Sequence, residues 1–173
     1  MDESRPEMLD LEATLRDPAK DNAAELRLWL RMLSCTNRVS NEVRSRLRAE
    51  FGVTLPRFDL LAQLDRERDG LRLGELSRRL MVTNGNTTVL VGALEKDGLV
   101  RRSVSAVDRR SFTVELTDAG RESFACMAEV HARWVSELLS GIDAASAREL
   151  SRGLHHARLA IQASADTATA ARA

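Results

Sequence analysis

The side chains best suited to chemistry in this chain are short and polar, and they lie close together. Asn84, Asn86, Thr87 and Thr88 open an expected helix. Their amides and hydroxyls suit the donor and acceptor edges of bases, or a thymine methyl, in a DNA major groove. A simpler use is open at the same positions, in which Thr83 and a neighbour cap the helix while Thr88 packs inward. Arginines flank the run, Arg78 and Arg79 before it and Arg101 and Arg102 after it, and suit phosphate oxygens. No basic residue falls between Asn84 and Leu94, so anchoring on a polyanion must come from those flanks.

The remaining reactive types exclude more than they suggest. No glycine-rich phosphate loop, metal motif or Ser-His-Asp or Cys-His arrangement is present, so the chain is not expected to be an enzyme. No pattern calls for a cofactor. His155 and His156 are neighbours that point apart on a helix, and His131 has no adjacent Cys or acidic cluster, so no metal is expected. The two cysteines, Cys35 and Cys126, fit neither a disulfide framework nor a metal cage, which implies a reducing, cytoplasmic setting. No apolar run approaches the roughly 18 residues of a membrane span, and the start MDESRPEMLD lacks the form of a secretory signal. Net charge is zero over 173 residues. Between Leu71 and Leu116, however, basic residues at 72, 78, 79, 96, 101, 102, 109 and 110 outnumber acids at 75, 95, 97, 108 and 115. That excess permits contact with nucleic acid without demonstrating it.

Periodicity supplies the elements that would position these groups. Residues 1–20 read as a mobile arm. A long helix over 21–52 carries Leu26, Leu30, Leu33, Asn37, Ser40, Val43 and Leu47 at spacings of three and four. Pro56 opens a second helix, with Phe58, Leu60, Leu61 and Leu64 inward. Two short helices follow, Leu73–Leu80 and Asn84–Asp97, the second capped by Thr83 and closed by Gly98. The period then changes to that of strands around Val104, Phe112, Val114 and Leu116, with Val107-Asp108-Arg109-Arg110 as the loop between them. A helix from Thr117-Asp118 and another from Asp143 complete residues 117–163, and 164–173 reads as a disordered tail. The expected fold is therefore mainly α with a small β-hairpin wing. Residues 53–116 form a winged helix-turn-helix lobe, and the terminal helices hold more apolar surface than one copy can bury. A homodimer through those helices is the simplest way to cover it.

The stretches GVTLPRFDLLAQLDR, LRLGELSRRLMVTNGNTTVLVGALEKDGLVRR and VDRRSFTVELTDAG resemble, in order and spacing, the MarR family of transcription regulators. The resemblance runs over roughly residues 24–162. It implies a two-fold dimer that binds double-stranded DNA as a sequence-specific regulator, most often a repressor released from a palindromic operator by a small molecule. Arg110 resembles the family's minor-groove arginine, Asp108 the acid that holds it, and Arg109 suits phosphate. A narrow A·T-rich groove concentrates negative potential, which favours such a guanidinium. The other reading of Asp108 and Arg110 is an ion pair that merely stabilises the turn. The chain departs from the family where Val89 and Gly92-Ala93 replace an arginine and an Asp-Arg pair.

The family's effectors, often aromatic acids, phenols or aromatic acyl-coenzyme A thioesters, lodge between dimer body and DNA-binding lobe. Trp29, Arg38, Arg57, Phe58, Met127, His131 and Trp134 are the candidates near that crevice. Two rival functions remain. One is thiol-based oxidation sensing through Cys35, weakened because the peroxide-sensing branch polarises its thiol with tyrosines and this chain has none. A buried structural role for Cys35 is the expectation instead. The other is a winged helix used for protein interaction without DNA.

Overall fold

The computed structural model describes residues 23–104 and 112–170. The arm over 1–20 lies outside them. The elements run α1 (Ala23–Phe51), α2 (Leu55–Asp65), β1 (Leu71–Arg72), α3 (Leu73–Leu80), α4 (Asn84–Lys96), β2 (Val100–Val104), β3 (Phe112–Leu116), α5 (Asp118–Leu138) and α6 (Ala144–Ala170). The chain divides into two compact units, residues 1–135 and 136–173.

In the first unit the core collects the apolar faces that periodicity assigns. Leu60, Leu61 and Leu64 of α2 are completely buried with Leu47 of α1, Leu76 of α3 and Val91 and Leu94 of α4, and Phe58 is nearly so. Val100, Val114 and Leu116 close the same core from the sheet, and Phe124 and Met127 from α5. Helix α1 is divided in use. Its last turns bury Val43 and Leu47, whereas Leu26, Leu28 and Trp29 near its start remain exposed.

The sheet has one strand more than the expected hairpin. Its order is β1-β3-β2, all antiparallel, with Leu71 opposite Val114 and Val100 opposite Leu116. Strand β1 consists of two residues and so offers no alternation to read in the sequence. It fastens the start of α3 to the far side of the wing.

Local chemistry fixes the corners. Thr54 precedes α2 without a side-chain cap, and Pro56 occupies its first turn as expected. The exit of α4 is a Schellman motif: Gly98, at φ +74°, donates its N–H to Glu95 O at 3.0 Å, and Leu99 donates to Leu94 O at 2.9 Å. Helix α5 begins where Thr117 Oγ1 accepts from Gly120 N at 3.0 Å. Gly120 is there for space, since a Cβ would fall 1.9 Å from Leu99 O. The LTDAG run is therefore a cap followed by a close backbone contact.

In the second unit Asp143 caps α6, accepting from Ala145 N at 2.9 Å and Ser146 N at 3.0 Å. These hydrogen bonds, led by the one from the Ser146 hydroxyl, hold the Asp143 carboxyl below its ordinary value. The helix continues through Ala170 rather than ending near 163. The segment read as a disordered tail lacks large apolar side chains but is rich in alanine, the strongest helix former.

Candidate nucleic-acid interface

Helices α3 and α4 are joined by a tight turn at Met81, whose backbone is left-handed (φ 54°, ψ 40°) although it is not glycine. Val82 N donates to Ser77 O at 3.1 Å, and Thr83 Oγ1 accepts from Asn86 N at 3.3 Å to cap α4. Two buried hydroxyls lock the pair. Ser77 Oγ lies 2.8 Å from Thr87 Oγ1 and 3.0 Å from Leu73 O, while the Thr87 hydroxyl donates to Thr83 O at 3.2 Å.

This clamp corrects the expected reading face. Thr87 is 0% exposed and cannot meet a base. It points inward because it shares a helical side with Val91 and Leu94, four and seven residues on. Asn84, Asn86 and Thr88 are exposed as a reading face requires, with the Thr88 hydroxyl donating back to Asn84 O at 2.8 Å. Thr88, the residue that could have packed inward, does not. Val89 is 73% exposed on the same helix and Met81 91% exposed just before it.

The four flanking arginines do not act as one group. Arg78 is exposed, and no ion pair to it is found among the described residues. Arg79 turns to two carboxylates, Glu67 at 2.9 Å and Glu75 at 2.6 Å. Arg101 pairs across the strands with Glu115 at 2.9 Å, and that hydrogen bond holds the Glu115 carboxyl below its ordinary value. Arg102 lies 3.3 Å from Glu95, and its Nη2 is 3.9 Å from where a Cβ on Gly92 would stand. It therefore reaches from the wing strand to the side of α4. Asp108, Arg109 and Arg110 lie outside the described residues.

The residues expected near an effector crevice divide similarly. Met127 and Trp134 are core side chains, the Trp134 ring lying tilted with its centroid 6.1 Å from that of Phe51. Trp29 and Arg38 are exposed on α1. Phe58 and His131 do meet, with ring centroids 4.7 Å apart, and Phe124 packs tilted against Phe58 at 5.5 Å. Asp59 interacts with His131 by charge. Burial pushes the Asp59 carboxyl up and the His131 imidazole down, and the attraction between them opposes both shifts only partly. Arg57 reaches Asp97, the C-cap of α4, and its Nε is buried with no hydrogen bond among the described residues. Nothing in the sequence marked Asp97 as its partner, forty residues away. Cys35 is exposed, as is Cys126, so a buried structural role within the chain does not hold for Cys35. Among the described residues no group of three His, Cys, Asp or Glu side chains could hold a metal, and no helix is long and apolar enough to cross a membrane.

A clamped helix pair, a second helix whose exposed side is uncharged until its last turn and an antiparallel wing beside it define a winged helix-turn-helix protein. Residues 51–111 match the sequence pattern of the MarR family. The transcriptional activatory protein BadR of Rhodopseudomonas palustris is 32% identical over 147 residues, which cover 80% of this chain and 82% of that protein. A MarR family transcriptional regulator from Silicibacter pomeroyi superposes with a TM-score of 0.71 at 37% identity, covering 82% of this chain and 99% of that one. Sco3205, a MarR family regulator from Streptomyces coelicolor solved in complex with DNA, superposes with a TM-score of 0.69 at 25% identity, covering 84% and 91%. The chain belongs to the MarR family of transcriptional regulators.

Proposed function

We propose that the chain is a homodimeric, sequence-specific regulator that places α4 in the major groove of a palindromic operator. The observation that carries this reading is the exposed, uncharged face of Asn84, Asn86, Thr88 and Val89 on a helix whose opposite side is locked by the Ser77–Thr87 hydrogen bond. Arg78 supplies a phosphate contact, and Arg102 another on release from Glu95. Arg79 and Arg101 add charge while held by carboxylates, and Arg109 and Arg110 contribute from the wing as the family resemblance implies. The DNA complex of the S. coelicolor relative supports the same use of the fold. Exposed Leu26 and Trp29 on α1, and Leu154 and Ile161 on α6, support pairing with a second copy through the terminal helices.

The proposed effector is a small aromatic acid, phenol or aromatic acyl thioester bound beside Phe58 and His131. Arg57 would answer its negative charge. A carboxylate there competes with Asp97 for Arg57, and so couples the effector to the exit of α4. Repression is the proposed mode. The R. palustris relative carries the name of an activatory protein.

The test is binding of the purified protein to its own upstream region and then to genomic fragments, titrated with salt and with a panel of aromatic acids and their coenzyme A thioesters. Salt-sensitive binding at two protomers per site supports the reading. Absence of binding to every fragment would leave the winged helix as a protein-interaction module.

A further inference from the structure

The outward side of α4 follows from its buried side. Thr87, Val91 and Leu94 point into the core, so with about 3.6 residues per turn the row opposite them runs through positions 85, 89, 92 and 96. That row reads Gly85, Val89, Gly92 and Lys96. Val89 is therefore the one sizeable side chain at the centre of the reading face until the last turn, and it is apolar and 73% exposed. It contributes nothing to the core.

Its surroundings sharpen the point. The charges near α4 stand beyond Val89 along the helix, with Arg102 beside Gly92 and Lys96 at the end of the row. A helix lying in a groove meets phosphates at its edges and base edges along its centre. Among base edges in the major groove the apolar group is the 5-methyl of thymine. Gly85 and Gly92 flank Val89 without raising a competing side chain. Packing does not require glycine at either, since the nearest atoms to an added Cβ are 4.0 Å and 3.9 Å away.

We infer that Val89 is a specificity-determining residue that reads a thymine methyl in each operator half-site. The inference rests on the DNA-binding reading above and commits it to a base. A thymine methyl against the valine side chain contributes on the scale of one buried carbon, about four-fold in affinity per half-site. Arg102 and Lys96, both beyond Val89 toward the C-terminal end of α4, then hold the backbone beside that contact.

The experiment uses the full-length protein and the tightest-binding fragment from its own upstream or genomic DNA. Each thymine is replaced in turn by 2′-deoxyuridine, which removes the methyl and keeps the base pair. The expected result is one position per half-site at which wild-type affinity falls about four-fold, and at which Val89→Ala binds thymine and uracil equally. Val89→Ile, which keeps a branched apolar group, should retain the preference for thymine. Uniform tolerance of uracil by the wild type overturns the role of Val89 while leaving DNA binding intact, as does a Val89→Ala variant that still prefers thymine. Failure to bind any duplex overturns the DNA-binding reading and this inference with it.

Discussion

Thr87→Val separates the two roles the Asn84–Thr88 run could have, because it removes a hydroxyl while keeping the side chain's shape. Thr87 Oγ1 accepts from Ser77 Oγ at 2.8 Å and donates to Thr83 O at 3.2 Å. Neither partner is orphaned by the change. Thr83 O still accepts from the backbone N–H of residue 87 at 3.1 Å, and Ser77 Oγ still has Leu73 O at 3.0 Å. The expected cost is therefore that of one buried hydrogen bond, about 1 kcal/mol, not the larger penalty of an unsatisfied group. Thr87→Ala should cost more, about 2 kcal/mol, because a completely buried methyl is lost as well. Combining Ser77→Ala with Thr87→Val should show coupling of about 1 kcal/mol, since the two share one bond. For a chain of this length the valine change lowers the melting midpoint by about 2–4 °C, measured at fixed protein concentration because the midpoint of the proposed dimer would depend on it. Operator affinity at a temperature well below the melt should stay within about two-fold of wild type, a margin far below the cost of losing a direct base contact. A Thr87→Val protein that is as stable as wild type but has lost its operator would refute the clamp and return the hydroxyl to the reading face.

Three further changes probe other parts of the structure. Gly120→Ala places a methyl 1.9 Å from Leu99 O. It should destabilise the lobe by about 1–3 kcal/mol or more, and an unchanged denaturant midpoint would contradict the close contact between α5 and the start of β2. The His131 imidazole is pushed below its ordinary 6.5 mainly by burial. Its contribution to stability is thus present above pH 6.5 and lost as pH falls through its folded value. Asp59, pushed above 3.8 mainly by burial, has the opposite sign, its contribution being present below 3.8 and lost as pH rises. Wild-type melting temperature should accordingly fall between pH 7.5 and pH 5.5, a range chosen about the histidine's ordinary value. His131→Leu should flatten that slope, and an identical slope in the variant would remove His131 as its source. Arg110→Ala, finally, should weaken operator binding with the dimer intact by analytical ultracentrifugation, and unchanged affinity would remove the arginine from the groove.

Much of the lobe is legible in the sequence because local signals agree there. Helix α3 matches its expected bounds, Thr83 caps α4, and Gly98 supplies the left-handed residue its exit needs. The inward set on α2 is the one its spacing predicts. The inward side of α4 is harder because NGNTT has no apolar residue to mark it. The signal lies further on, where Val91 and Leu94 fix the buried side and place Thr87 on it. Strand β1 is too short to show a period, and its existence depends on β3, which arrives some forty residues later. Cys35 falls within a regular apolar rhythm, yet it is exposed. Periodicity shows that a face is apolar, not which chain covers it.

The charge distribution connects the fold to the proposed specificity. A regulator must bind a polyanion and still distinguish its operator from the many other sites that carry the same phosphates. Placing arginines on the reading helix would raise affinity for every sequence. In this chain the outward row of α4 is uncharged up to Lys96, and the basic groups stand on neighbouring elements, several of them held by carboxylates such as Glu67, Glu75 and Glu115. An arginine already paired must exchange its partner for a phosphate, so its gain on binding is smaller than that of a free one. Exposed Arg78 then carries more of the anchoring, whereas Arg102 must first leave Glu95. It follows that Arg78→Ala should lower affinity for operator and unrelated DNA alike and reduce the salt dependence by about one charge. Val89→Ala should lower affinity for the operator alone. If the two variants behaved alike on unrelated DNA, this division between anchoring and reading would be wrong.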